Sequence, residues 1–372
     1  MKKTILRICF KPLNWINKWK KKDKNLIFFY SNMGFRDNVK ALYDYLVSQG
    51  LNQKYKIVVS ANDYERYVED APQNVSFVGN KQGIKIFMKA KYAFYCFGKY
   101  PIKPSKNQVV VNLWHGTPLK KLGNLEKGCE KVDYNFFTKV ITNSPMHKEI
   151  MAQIFGCDLD QVEIMGNPRC DEMFEQEPLV DRSIREDYEK VIVWMPTYRD
   201  YNEDFVVSTL SPNDIRELNH ILEDNNVKMI IKLHPLQEIK EGNKEYENIE
   251  ILTQSEIEKK KLSVYALLRN ADGLITDYSS VYFDYLLLDR PIAFAVDDIT
   301  EYSCERGFLF DNPESLMPGD KIKKFEDVKS FVYNVVNNVD NFKKNRENVN
   351  KQVNFHRGYG SSKEIVKRFL GE

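Results

Sequence analysis

Apolar residues in this chain gather into short continuous blocks, each about one strand long and each followed by a stretch with helical spacing. The first series of blocks lies at residues 25–30, 55–59, 75–78, 93–96 and 108–113. Between the first two, Val39, Leu42, Tyr43, Leu46 and Val47 recur at helical spacing over residues 37–48, and Gly50 is placed to end that helix. Similar spacing runs over 83–90. A second series at 191–194, 228–232, 249–252, 273–276 and 291–295 alternates with helices predicted over 212–225, 264–269, 280–288 and 325–337. Continuous apolar blocks, rather than alternating ones, mark strands buried on both faces of a parallel sheet. An acidic, strand-poor stretch at 171–190 separates the two series. The expected fold class is therefore α/β, with two doubly wound Rossmann-like domains at 25–185 and 186–345 facing a central cleft. The last segment, 346–372, reads as helical and able to pack back on the first domain.

Ahead of the first strand lies a segment of different character. Residues 2–24 carry nine basic side chains against Asp23 alone, a net of +8; since the whole chain is +2, the remainder is −6. Interleaved with the charge are Ile5, Leu6, Ile8, Phe10, Leu13, Trp15, Ile16 and Trp19, with Pro12 expected to bend or restart a helix. Basic residues combined with Trp and aliphatics suit the headgroup region of an anionic leaflet, so residues 1–24 are expected to lie on a membrane surface. The alternative is a basic leader without that role. The acidic balance of the body argues against nucleic acid as a partner.

Composition narrows the class. With 372 residues, 42% hydrophobic and 13% aromatic, the chain can build two cores and is not a disordered type. Six scattered cysteines without a CxxC pair suit a reducing compartment and present no zinc site. No apolar run is long enough to span a bilayer, so a peripheral position at the cytoplasmic face of a membrane is expected. Walker A and strand-following GxGxxG sequences are absent, which argues against P-loop and nicotinamide chemistry.

Candidate chemistry collects just after strands, where open α/β sheets build their sites. His115 follows 108–113 within Trp114-His-Gly-Thr-Pro-Leu-Lys120, where Gly116 permits a sharp turn and Pro118 stops the strand. His234 follows 228–232 and precedes Pro235, the same design in the second half. Arg169 ends a Gly-Asn-Pro-Arg turn, and Arg199 ends Met195-Pro-Thr-Tyr-Arg199. Each Arg can hold phosphate oxygens or an acidic neighbour such as Asp171 or Asp200. A fifth loop, Thr276-Asp-Tyr-Ser-Ser280, links an apolar strand to a helix. Its hydroxyls and unpaired N–H groups can receive a phosphate, or can simply cap the helix. The inventory is a phosphate site in the second half and a candidate base in the first. Phosphoryl or glycosyl transfer from a nucleotide-activated donor fits it best.

The stretches WHGTPLK (114–120), GNPR (166–169), MPTYRD (195–200), KLHP (232–235) and TDYSSVYFDYLLLDRP (276–291), in this order, resemble the CDP-glycerol:poly(glycerophosphate) glycerophosphotransferase family of teichoic acid and capsule synthesis. The resemblance implies a GT-B-like fold and no cofactor. It implies a CDP-glycerol donor and a lipid-linked saccharide or growing polymer as acceptor. It places the functional histidines at His115 and His234 and the phosphate-binding hydroxyls at Ser279 and Ser280. Thr276, Asp277, Gly116, Thr117 and Pro235 are expected around the substrates, with Arg169 and Arg199 against developing charge. Asp284 is expected to reach donor ribose or polyol hydroxyls. A CDP-ribitol donor, or a GT-B glycosyltransferase using a CMP- or UDP-sugar, is the alternative. Single addition and repeated addition both stay open.

Overall fold

Parallel pairing of the apolar blocks builds one sheet in each of two units. The computed structural model describes residues 2–175, 185, 187–197, 210–233, 246–260 and 262–372. One unit comprises Met1–Thr117, Leu122–Asp171 and Val353–Glu372; the other comprises Pro118–Lys121 and Glu172–Gln352.

The first unit contains strands β1 (Asp23–Ser31), β2 (Lys56–Ala61), β3 (Val75–Val78), β4 (Ala90–Tyr95), β5 (Val109–Asn112), β6 (Lys139–Thr142) and β7 (Val162–Ile164). They lie in the order β3-β2-β1-β4-β5-β6-β7, and every pairing is parallel. Strands β6 and β7 escaped the hydrophobic pattern because each has at most four residues and carries a charge. Lys139 and Glu163 of these strands meet at 2.9 Å. Helices α1 (Lys2–Trp19), α2 (Asp37–Ser48), α3 (Asn80–Phe87) and α4 (Lys148–Phe155) join them. Ile27 and Phe29 of β1 pack with Val39, Leu42 and Leu46 of α2 and with Ile365, Val366 and Leu370 of the C-terminal helix, Ser361–Leu370. Phe28 and Tyr30 turn toward the other face, where Phe87 and Tyr100 meet them at ring-centroid distances of 5.9 and 4.4 Å. This alternation is the period of two expected of a strand covered on both faces.

The second unit holds β8 (Lys190–Met195), β9 (Val227–Lys232), β10 (Ile249–Leu252), β11 (Gly273–Thr276), β12 (Ile292–Ala295) and β13 (Asp320–Ile322). Their order is β10-β9-β8-β11-β12-β13, again all parallel. Its helices are α5 (Pro212–Asp224), α6 (Gln254–Lys259), α7 (Val264–Asn270), α8 (Val281–Tyr285), α9 (Ile299–Glu305), α10 (Phe325–Val336) and α11 (Lys343–Val353). Ile192 and Trp194 pack with Leu218 and Leu222 of α5 and with Phe331, Val332 and Val335 of α10. Where a helix over 280–288 was expected, α8 holds five residues and a 3-10 turn, Leu286–Leu288, completes the span. The left-handed Asp289 (φ +50) and then Pro291 stop it.

Helix α1 runs unbroken through Pro12, so the proline removes one intrahelical bond without restarting the helix. Its docking is polar. Asn17, fully buried, donates to the Lys103 carbonyl and to Gln108, and Asn14 accepts from the Lys103 N–H. Lys22 follows, donating to Asn17 and to the Met88 carbonyl at 2.6 Å each; burial, then the charge of Lys20, pulls its pKa down to about 8.

A single carboxylate secures the C-terminal helix. Asp171, 7% exposed, accepts from the backbone N–H groups of Gly360, Ser361 and Ser362 at 2.8–2.9 Å. A buried anion there matches both the unpaired N–H groups and the positive end of the helix. Asp171→Ala should cost about 2–3 kcal/mol by stranding those donors. It should lower the thermal midpoint and speed amide exchange first over 361–370; parental exchange rates there would remove Asp171 as the anchor.

Candidate functional site

In both sheets the strand order reverses next to the first strand, between β1 and β4 and between β8 and β11. At such a switch point the loops diverge beyond the carboxyl ends of the strands and leave room for a ligand. The Thr276–Ser280 loop leaves β11 at one such point, whereas the His115 turn leaves β5, one strand beyond β4, and meets the residues after β1 and β4 through Asn38 and Cys96.

In the first unit β5 ends at Asn112, whose side chain accepts from the Trp114 N–H at 3.0 Å and starts a tight turn. Trp114 then adopts φ +54 and Gly116 φ +131. Left-handed backbone is ordinary for glycine but a true outlier for tryptophan, and such strain collects where a chain must present a particular side chain. The residue presented is His115. Its ring stacks on Phe97 at 5.0 Å and lies 3.9 Å from the Trp114 ring. Nδ1 sits 3.2 Å from the carbonyl oxygen of Cys96, the residue that follows β4. A carbonyl only accepts, so Nδ1 carries the proton, and Nε2 of the neutral ring holds the lone pair a base requires. Burial, with Asp37 nearby, keeps the Cys96 thiol well above its ordinary range and therefore uncharged. Thr117 is 3% exposed, and its hydroxyl meets no hydrogen-bond partner among the described residues.

In the second unit the ends of β8 and β11 are tied together. Thr276 donates its hydroxyl to the Met195 carbonyl at 2.8 Å. Thr197 gives its N–H to one oxygen of Asp277 at 2.8 Å and its hydroxyl to the other. The Ser279 N–H returns to Asp277 at 3.2 Å, an Asx-type turn. Tyr278, 1% exposed, is pinned beneath by Asp298 at 2.8 Å and by the rings of Tyr302 and Phe308. Residues 119–121 add to this side of the unit, with Leu309 N–H on Leu119 and Lys121 N–H on Gly307. Thr276, Asp277 and Tyr278 are thus buried while Ser279 and Ser280 stand half-exposed at the sheet edge. Ser280 makes no capping bond to the helix it precedes, and the Ser279 hydroxyl reaches the Val281 N–H only at 3.5 Å. Simple helix capping therefore does not account for the paired serines.

Two of the candidate residues have partners within the protein. Arg169 is 6% exposed and its guanidinium binds Asp37 at 2.7 Å, an acidic neighbour other than Asp171. Asp284 is fully buried and accepts from the Tyr265 hydroxyl at 2.7 Å inside the second unit. His234, Pro235 and Arg199 lie outside the described residues. Sequence reasoning passed over Thr197, which closes the Asp277 loop, and Asn38, which reaches the His115 turn. It also gave no role to Lys232, a cation only 5% exposed at the end of β9, although a lysine directly after the apolar run Met229-Ile-Ile231 is a legible signal. Asp277→Ala removes the acceptor of three donors and should cost about 3 kcal/mol. A melting curve checks it, with Asp277→Asn falling between alanine and parent; a parental midpoint for the alanine variant would dismiss Asp277 as the organiser of this loop.

Comparison with known proteins bears on the family and the fold. A Bacillus subtilis teichoic acid glycerol-phosphate primase is 32% identical over 230 residues, covering 58% of this chain and 56% of the relative. A Bacillus spizizenii teichoic acid ribitol-phosphate primase is 28% identical over 297 residues, 74% of this chain and 72% of its own length. A teichoic acid poly(glycerol phosphate) polymerase of the same species is 27% identical over 94% of this chain and 93% of the relative. Among solved structures, the wall teichoic acid polymerase TagF superposes with a TM-score of 0.76 at 22% identity, covering all of this chain and 97% of that one. A Listeria monocytogenes chain described as a UDP-N-acetylglucosamine 2-epimerase superposes at 0.56 with 11% identity, over 94% of this chain and 98% of its own. These likenesses place the fold among two-domain, parallel-sheet GT-B architectures. The profile described as CDP-Glycerol:Poly(glycerophosphate) glycerophosphotransferase matches residues 10–371, and the chain belongs to that family of transferases.

Proposed function

We propose that this enzyme moves glycerol phosphate from CDP-glycerol to a hydroxyl of a lipid-linked saccharide or growing teichoic-acid or capsule polymer and releases CMP. The observation that carries the reading is the paired-serine loop at the switch point of the second sheet, its hydroxyls presented by a buried Asp277–Thr197 clasp. Ser279 and Ser280 hold the donor diphosphate, with Thr276 and Asp277 shaping the loop that presents them. His115 Nε2 takes the proton of the acceptor hydroxyl as its oxygen attacks the β-phosphorus. The bond from that phosphorus to the oxygen of the CMP phosphate breaks, and the electron pair leaves with CMP. A histidine suits the step because its unperturbed pKa lies near working pH. Gly116 and Thr117 shape the acceptor side of the same turn. His234, backed by Pro235, supports the donor phosphates and the departing CMP, and Arg199 neutralises charge on the transferred group. The role of His234 rests on the family resemblance, and that of Arg199 on its place in the loop after the 191–194 strand.

Purified enzyme offered CDP-glycerol and CDP-ribitol separately, with lipid-linked acceptor, tests the donor by product mass. Ribitol phosphate is the second reading because a ribitol-phosphate primase is among the relatives. Product from a nucleotide sugar alone would refute both. His115→Ala should lower turnover by about 10²–10⁴-fold with donor affinity kept. Ser279→Ala should instead weaken donor binding, by a factor of about 10 for one lost hydrogen bond to a charged group. Parental turnover in His115→Ala would strike it from the mechanism.

The acceptor's lipid fits the exposed side of α1. Trp15 and Trp19 are 70% and 72% exposed and Ile16 41%, while the asparagines face the protein. That is the reverse of an ordinary surface helix and matches an interfacial one. Lys11, Lys18, Lys20 and Lys21 are exposed around these side chains. No described helix is long and apolar enough to cross a membrane, so attachment through α1 is peripheral. Lys18→Glu, Lys20→Glu and Lys21→Glu together spare Lys22, which holds Asn17 and Met88. At about 1 kcal/mol per basic residue they should weaken binding to anionic vesicles by a factor of at least about 10². Cosedimentation equal to the parent at physiological salt would exclude this surface.

A further inference from the structure

We propose that Asn38 is a positioning residue for His115, holding the strained backbone that presents the imidazole. The inference deepens the catalytic reading above and rests on His115 being the base. Asn38 is fully buried at the start of α2, an unusual place for a carboxamide unless its groups are used. Its Nδ2 donates to the carbonyl of Leu113 at 3.1 Å and to that of Trp114 at 3.0 Å. Its Oδ1 accepts from the Arg169 N–H at 3.1 Å. Both amide hydrogens are therefore spent on two successive carbonyls, one on either side of the residue with φ +54.

That geometry defines a role. The Trp114 carbonyl belongs to the peptide unit whose nitrogen is that of His115, so Asn38 fixes the plane from which the histidine departs. The Cys96 carbonyl then fixes the ring through Nδ1 at 3.2 Å. Left to itself, a tryptophan in the left-handed region relaxes, because the conformation costs about 1–3 kcal/mol. Two buried hydrogen bonds of ordinary strength offset a cost of that size. Arg169 supports the arrangement from the other side. Its backbone holds the Asn38 oxygen, and its guanidinium clamps Asp37, itself at φ +62 and hydrogen-bonded to the Asn38 N–H at 2.7 Å. The Gly-Asn-Pro-Arg turn thus acts on the chemistry through Asn38 and the Trp-His-Gly turn.

The proposal is tested with Asn38→Ala and with Asn38→Ser, which retains one short donor and loses less volume. Misplacement of a catalytic group by about 1 Å lowers turnover by about 10²-fold. The expectation is a loss of that order in kcat for alanine, a smaller one for serine, and an unchanged KM for CDP-glycerol. The ¹⁵N shifts of His115, assigned by their loss in His115→Ala, should report the Nδ1–H tautomer in the parent and a tautomer mixture in the Asn38 variants. Parental kcat together with a parental ¹⁵N pattern in Asn38→Ala, or in Asn38→Ser if the alanine variant does not fold, would overturn the proposal. Should His115→Ala itself keep full turnover, the base assignment fails, while the ¹⁵N pattern still decides whether Asn38 positions the ring.

Discussion

Reversal of strand order beside the first strand of each sheet is the constraint on which the other features depend. Parallel strands demand long crossovers, and when successive crossovers run to opposite sides, the loops leaving two neighbouring strands part company. Beside β1 and β4 the chain places Asn38 and Cys96, and the His115 turn, arriving from the neighbouring β5, is held against both. Between β8 and β11 the parting accommodates Thr197, Asp277 and the serines. Each unit gathers these loops beyond the carboxyl ends of its strands, where backbone N–H and C=O groups are no longer consumed by the sheet ladder.

Those edges are held by small numbers of buried polar groups rather than by apolar packing alone. Asp277 gathers Thr197 and Ser279, Asn38 gathers Leu113, Trp114 and Arg169, and Asp171 gathers the start of the C-terminal helix. An unpaired polar group in the interior is costly, so each fully used hub rigidifies the loop it touches. The arrangement of Tyr278 illustrates the division of labour. Its ring and hydroxyl anchor the loop below, while the serines that follow it stay at the surface.

Much of this fold was legible in the order of residues. Ten of the strands were visible as continuous apolar blocks, and the helix over Asp37–Ser48 emerged with its observed ends. Strands β6, β7 and β13 were not, because three or four residues that include a lysine, glutamate or aspartate carry too little apolar signal. At Pro12 a local rule gave a bend or a restart, and the helix does not restart. The site was readable as a set of strand-following loops and a family likeness, but the partners of Arg169 and Asp284 were not. Ion-pair and hydrogen-bond choice depends on which side chains the fold brings within about 3 Å, and no periodicity encodes that.

By itself the sequence determined the alternation of strand and helix, the basic Trp-bearing leader and the residue types at the strand ends, because hydrophobic period and turn chemistry are local properties. Tertiary structure alone decided that Trp114 takes left-handed backbone, that Asn38 holds it there, and that the Ser280 hydroxyl makes no bond to the helix it precedes. Those outcomes turn on contacts between segments as many as 132 residues apart, Asp37 with Arg169 being the widest of them. They are settled by burial and hydrogen-bond satisfaction across the folded unit, not by the propensity of any one stretch.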